Sequence, residues 1–178
     1  IAVSYQPHLH MAADQDLPLM RVGTLISSPL NSLVVLADGP IQTLADLKGK
    51  RIGYSVGGFE SALLGAMLHQ AGLTVDDVTL INVNWSLSPS LIAGQTDAVI
   101  GAFRNFELNQ MDLEGYPGRA FLPEDHGVPL YDELIPLAHP DTVAAGDPRL
   151  PRPPLLHISR CRPSTLSTSR LSPHRGLR

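Results

Sequence analysis

An α/β fold is predicted by three observations. Strand-like and helix-like segments alternate at short intervals from residue 43 to residue 122, the pattern of βα units and a largely parallel sheet covered on both faces. Asp97 to Phe103 is a compact apolar run of the kind buried on both sides. Arg51-Ile52-Gly53-Tyr54-Ser55-Val56-Gly57-Gly58-Phe59-Glu60 reads as a short strand passing through two glycines directly into a helix.

In chain order, Ile1 to Tyr5 is apolar enough to end a strand, and residues 8–16 suit a short helix after Gln6-Pro7. Met20 to Ile26 alternates as a strand, Ser27-Ser28-Pro29 interrupts it, and Ser32 to Ala37 forms the next, closed by Asp38-Gly39-Pro40. Thr43 is a good N-cap for a short helix through Leu47, with Asp46 as its capping-box partner, and Lys48-Gly49-Lys50 ends it. Beyond the double glycine, Leu63, Leu64, Met67, Leu68 and Ala71 recur at helical spacing up to Gly72. Asp76 to Asn84 predicts a strand ending at Asn84-Trp85. Ser88-Pro89 predicts a helix start with proline at its first position, stopped by Gly94. After the buried strand, Phe106 to Glu114 is a short helix ended by Gly115, and Ala120 to Leu122 is a last strand.

Composition sets limits on function. The chain has 178 residues, 43% hydrophobic and 17% charged, which suits a globular protein able to bury a core. Its single cysteine, Cys161, excludes an internal disulfide and a cysteine metal cluster. No run of 18 apolar residues offers a membrane span, and the start at Ile1, with no signal peptide, leads us to expect that the N-terminus is truncated. Charge is unevenly placed. Residues 1–139 hold 6 Lys+Arg against 15 Asp+Glu, a net −9, which argues against nucleic acid as a partner. Residues 140–178 hold 7 Arg, 7 Pro and two acids, a net +5, without hydrophobic periodicity. That tail is read either as a disordered basic arm or as sequence out of frame after about residue 139, and no fold is expected in it.

Parallel βα sheets bind ligands beyond the carboxyl ends of their strands. The strand ends here are Ser55-Val56-Gly57-Gly58, Asn84-Trp85 and Phe103-Arg104-Asn105, so these loops are expected to line one crevice. Gly53-Tyr54-Ser55-Val56-Gly57 also matches the nucleophile elbow of serine hydrolases, with Asp97 or Glu107 and His126 following in order, yet no glycine-rich oxyanion loop precedes it. His8 and His10 near Asp14 and Asp16 make a weak metal pattern, better explained as a polar helix start. A binding reading draws on more residues. Trp85 can stack on a flat ring, with Tyr5, Tyr54 or Phe59 supplying the opposite face. Arg104, Asn105 and Glu107 put a cation, an amide and a carboxylate at one strand mouth, and a carboxylate orients a heteroaromatic amine. The plain alternatives are a ligand-free turn, a tryptophan plugging a sheet edge and an ordinary helix start capped by Asn105.

Several segments resemble the periplasmic solute-binding proteins of ABC importers: Ser4-Tyr5-Gln6-Pro7, Pro29-Leu30-Asn31-Ser32-Leu33, Asp46 to Tyr54, and Gly101 to Glu107. The branch they resemble contains the alkanesulfonate-binding and thiamin-pyrimidine-precursor (SsuA/ThiY-like) proteins. The Ser-Val-Gly-Gly-Phe-Glu and Phe-Arg-Asn-Phe-Glu segments look more like the pyrimidine side. The resemblance covers residues 1–138 and implies a two-lobed type II binding-protein fold, here incomplete. Residues 1–37 would be a remnant of the first lobe and crossover, 38–122 the second lobe, 123–139 the return segment and 140–178 the tail. It further implies ligand contacts from Tyr5, Ser55, Gly57, Gly58, Phe59, Glu60, Asn84, Trp85, Arg104, Asn105 and Glu107, and no cofactor or metal. The implied partners are a small heteroaromatic ligand and the importer's permease and ATPase. The implied place of the full-length protein is periplasmic, or lipid-anchored outside the cytoplasm. Riboflavin-like and sulfonate ligands stay open as alternatives, as does a pyrimidine-synthase activity of the cysteine-rich, iron-using relatives, whose cysteines this chain lacks.

Overall fold

A computed structural model describes residues 1–146, 148 and 150. Two sheets divide the chain. The larger is built from β3 (Asn31–Leu36), β4 (Arg51–Tyr54), β5 (Thr79–Asn82), β6 (Ala98–Phe103) and β7 (Gly118–Phe121), in the order β5-β4-β6-β3-β7. The smaller joins β1 (Ala2–Ser4), β8 (Ile135–Ala138) and β2 (Met20–Arg21), with β8 central. Helices α1 (Gln6–Asp14), α2 (Phe59–Gln70), α3 (Leu87–Ile92), α4 (Glu107–Leu113) and α5 (Pro140–Ala144) complete the chain.

The larger sheet is mixed rather than largely parallel. β4 runs parallel to β5 and β6, but β3 is antiparallel to both β6 and β7. The reason is its connection: β3 is entered from the smaller sheet with no crossover helix, and only a crossover makes its strands parallel.

Alternating side chains fill two cores. Leu33, Ile52, Ala98 and Ile100 pack with Leu64, Met67 and Leu68 of α2, while Val34, Val99 and Ala102 pack with Leu87, Leu91 and Met111 on the other face. The alternation slips at Gly101, where a bulge shifts the β3–β6 register between Ser32 and Leu33. Gly101 takes φ +100°, and its N–H donates to the Asn31 side-chain oxygen at 3.1 Å.

Local chemistry explains the boundaries. The 43–47 segment is a tight 3₁₀ turn whose Asp46 carboxylate accepts from the Thr43 N–H at 2.8 Å. Thr74 and Asp77 repeat that device at 2.9 Å, which shortens the expected 76–84 strand to β5. α1 starts two residues before its predicted start, with Pro7 in its first turn, where a missing N–H costs nothing. Ser88-Pro89 lies inside α3, not at its cap, which is Ser86. The expected 20–26 strand shrinks to β2 plus a single Ile26–Leu134 bridge. α5 occupies the first five residues of the segment expected to carry no fold. The remainder of that tail, apart from Ala145, Gly146, Pro148 and Leu150, lies outside the described residues, as does Cys161.

Candidate functional site

Because β5, β4 and β6 are parallel neighbours, their carboxyl ends share one edge of the sheet. The amino end of the antiparallel β3 falls at the same edge, so the three predicted loops and Asn31 lie along it.

At β5, the Asn82 side chain accepts from the Asn84 N–H at 2.8 Å, and Asn84 sits at φ +51°. The turn leaves Trp85 79% exposed. Asn84 is exposed too.

At β4, the double glycine admits the sharp entry into α2: Gly58 is its N-cap at φ +81°. Gly57 and Gly58 are exposed, and a side chain at Gly57 would meet only open space and the Tyr54 ring. The two residues that follow turn inward. Phe59 is 2% exposed, stacks on Tyr5 with centroids 5.1 Å apart and meets Tyr131 edge-on. Glu60 is also 2% exposed. Its carboxylate accepts from the Ser55 N–H (2.7 Å), the Val56 N–H (3.0 Å) and the Ser55 hydroxyl (3.0 Å). Burial pushes the Glu60 pKa up, and these bonds oppose that rise. Phe59 and Glu60, expected at the ligand, are both buried, because α2 directs them toward the core.

At β6, Arg104 is likewise committed internally. Its guanidinium forms a two-pronged pair with Glu124, at 2.5 and 2.9 Å, and reaches the Asn31 carbonyl. Asn105 is exposed and Glu107 half-buried. The Glu107 carboxylate accepts from the Phe103 N–H at 2.6 Å, and burial raises its pKa.

The hydrolase arrangement does not assemble. The Ser55 hydroxyl is bonded to Glu60, Asp97 is paired with Arg51 at the opposite sheet edge, and His126 packs beside Phe121. The weak metal pattern also disperses: His8 bonds Ser4 and packs against Tyr5 and Phe59, and His10 bonds Gln6. No cluster of three potential ligands stands together among the described residues.

Sequence reasoning missed Glu133 and Tyr131. Glu133 is fully buried, and its Oε2 accepts from the Leu30 N–H (2.7 Å) and the Asn31 N–H (3.0 Å). It thereby ties the segment leading into β3 to the one leading into β8. Its Oε1 and the Tyr131 hydroxyl are buried without a well-formed hydrogen bond. Burial raises the Glu133 pKa; burial and then the Glu133 charge raise that of Tyr131. The available signal was faint: one acid among apolar neighbours in Tyr131-Asp132-Glu133-Leu134-Ile135.

Two surface pockets of the chain, one bordered by Leu36, Gly39, Lys50 and Thr96 and one by Gln42, Leu44, Gln70 and His126, lie away from the Trp85–Glu107 edge. No helix among the described residues is long and apolar enough to cross a membrane.

Comparison with known proteins adds a second line of argument. A family model described as NMT1/THI5 like matches residues 1–151. A Haemophilus influenzae protein named for thiamine biosynthesis is 63% identical over 143 residues, 80% of this chain and 46% of its own length. A formylaminopyrimidine-binding protein of Halalkalibacterium halodurans is 37% identical over 135 residues, 76% of this chain and 41% of its own. A 4-amino-5-hydroxymethyl-2-methylpyrimidine phosphate synthase of Schizosaccharomyces pombe is 34% identical over 94 residues, 53% of this chain and 27% of its own. The alkanesulfonate-binding protein SsuA of Xanthomonas axonopodis pv. citri, solved with MOPS bound, superposes with TM-score 0.59 at 25% identity, over 78% of this chain and 46% of that one. The chain thus spans under half the length of these relatives.

Proposed function

Since the chain belongs to the NMT1/THI5-like family, we propose that it is part of the substrate-binding component of an ABC importer for a thiamin pyrimidine precursor. The observation that carries this reading is the shared edge of β5, β4 and β6, with an exposed indole at one strand end and a half-buried carboxylate at another. An aminopyrimidine has a flat face for Trp85. It also offers an amino donor next to a ring-nitrogen acceptor, which a carboxyl group complements by donating or sharing a proton.

In this mechanism the two lobes close about their crossing segments onto the heterocycle. Trp85 stacks on the ring, and Tyr5, already stacked on Phe59, serves the facing side. Glu107 takes the amino group, and the exposed Gly57-Gly58 backbone holds a polar substituent. Asn84 and Asn105 supply adaptable amide contacts, Ser55 holds the loop in shape, and Arg104 braces the β6 end through Glu124. The importer's permease and ATPase are the partners, and the site of action lies outside the cytoplasmic membrane.

The relatedness to a formylaminopyrimidine-binding protein supports binding without catalysis. The pyrimidine synthase relative keeps one enzymatic alternative in view. Iron content and pyrimidine formation by the purified protein separate the two. Calorimetry with formylaminopyrimidine, hydroxymethylpyrimidine, riboflavin and methanesulfonate tests the ligand class. Binding of a pyrimidine, lost on Trp85→Ala, is expected; silence with every pyrimidine beside clear sulfonate binding sinks the proposal.

A further inference from the structure

A strand-glycine-helix corner is ordinarily an anion site, because the free N–H groups of the loop and first helical turn converge there with the positive end of the helix dipole. Here the loop donors at the end of β4 are already taken. The Ser55 and Val56 N–H groups and the Ser55 hydroxyl all bond to the Glu60 carboxylate, at 2.7, 3.0 and 3.0 Å. Glu60 is buried against the bulge at Gly101: a side chain there would stand 2.5 Å from its Cδ and 2.7 Å from its Oε2. The Glu60 carboxyl group is therefore locked in place.

We infer that Glu60 is a specificity-determining residue: an internal carboxylate that fills the anion-binding corner and so excludes sulfonates and phosphates while admitting neutral or cationic heterocycles. This deepens the proposed pyrimidine-binding function and rests on the same edge as the ligand site. Two effects act together. An incoming oxyanion finds the Ser55 and Val56 donors occupied, and it approaches a carboxyl group whose ionised form repels it. The other acids near this edge reinforce the second effect: Glu107 at the β6 end, and Glu133, whose charge acts on Glu60. Arg104, the nearby cation, is neutralised by Glu124. A neutral ring needs neither the donors nor a cation. The same fold can serve sulfonates, as the MOPS-bound relative illustrates.

The test compares the unsubstituted chain with Glu60→Ala and Glu60→Gln, using methanesulfonate, inorganic phosphate and formylaminopyrimidine as calorimetric probes. Circular dichroism verifies folding. The unsubstituted chain is expected to give no heat with either anion at millimolar concentration. Glu60→Ala frees the donors and removes the charge, so methanesulfonate affinity should rise roughly tenfold or more, the scale of one charge-assisted hydrogen bond. Glu60→Gln keeps the acceptor and removes only the charge, giving a smaller rise of roughly threefold. If Glu60→Ala does not fold, the Gln variant decides. Clear methanesulfonate binding by the unsubstituted chain overturns the inference, and so does a folded variant set in which no anion gains affinity. Failure to bind formylaminopyrimidine counts against the functional proposal alone, because anion gain is read against the unsubstituted chain's own anion affinity.

Discussion

Replacing Gly101 by alanine tests how rigidly the corner is built. A Cβ at residue 101 would lie 2.5 Å from Glu60 Cδ and 2.7 Å from Oε2, so the carboxyl group must move. Such a shift would be cheap for a free side chain, but Glu60 is 2% exposed and its oxygens hold three donors. Losing one or two charge-assisted bonds costs about 2–4 kcal/mol. Holding a non-glycine residue at φ +100° adds about 1–3 kcal/mol. Gly101→Ala should therefore destabilise by about 3–7 kcal/mol, a large share of a typical domain's about 5–15 kcal/mol. Urea unfolding of Gly101→Ala, Glu60→Ala and the double variant separates the two contributions. In the Glu60→Ala background only the backbone part should remain, leaving a coupling of about 2–4 kcal/mol between the sites. If Gly101→Ala costs the same in both backgrounds, the carboxylate is not pinned against the bulge and the reasoning fails.

Stability should also follow the buried acids. Glu60, Glu107 and Glu133 have folded pKa values raised by burial, so their contribution is fully present below the unfolded value and is lost as pH rises through the folded one. Thermal melts should thus show a higher midpoint near pH 5.5 than at pH 8, and Glu133→Gln should flatten that slope; a midpoint that climbs toward pH 8 contradicts the assignment. At lower pH the order reverses, because Asp97 and Glu124 are held below the usual range by Arg51 and Arg104 and lose stabilising charge when protonated. Glu133→Ala should cost about 2–4 kcal/mol in urea unfolding, since it strands the Leu30 and Asn31 N–H groups in the interior. Trp85→Ala should leave the unfolding midpoint almost unchanged, within about 0.5 kcal/mol for so exposed a side chain, while abolishing heterocycle binding in calorimetry.

Features set by neighbouring residues were legible in the sequence. β3, β6, α2 and α4 lie close to their predicted positions because apolar periodicity and flanking glycines are local signals. The three strand-end loops were also legible, since parallel βα order dictates a common edge. β8 was missed because Pro136 sits within it, and proline argues against an interior strand. It is tolerated here: Pro136 still accepts from the Val22 N–H through its carbonyl, at 2.9 Å. The inward turn of Glu60 was hidden for a different reason. Whether that carboxylate faces a ligand or the protein depends on Gly101, 41 residues later, and on a bulge that no pairwise pattern announces. Glu133 depends in the same way on N–H groups 102 and 103 residues away.

These hidden contacts share one physical cause. At the carboxyl edge of the sheet the ladder stops, and irregular backbone leaves N–H groups without ladder partners. Each orphaned pair here is met by a buried carboxylate: Glu60 for residues 55 and 56, Glu133 for residues 30 and 31. Side-chain capping of this kind holds the loops in one shape without borrowing donors from a ligand. It also makes the edge acidic, with its nearest arginine neutralised. On the proposed function, such an edge would take electron-poor rings bearing amino groups in preference to oxyanions, which would tie the choice of ligand to the residues that keep the edge folded.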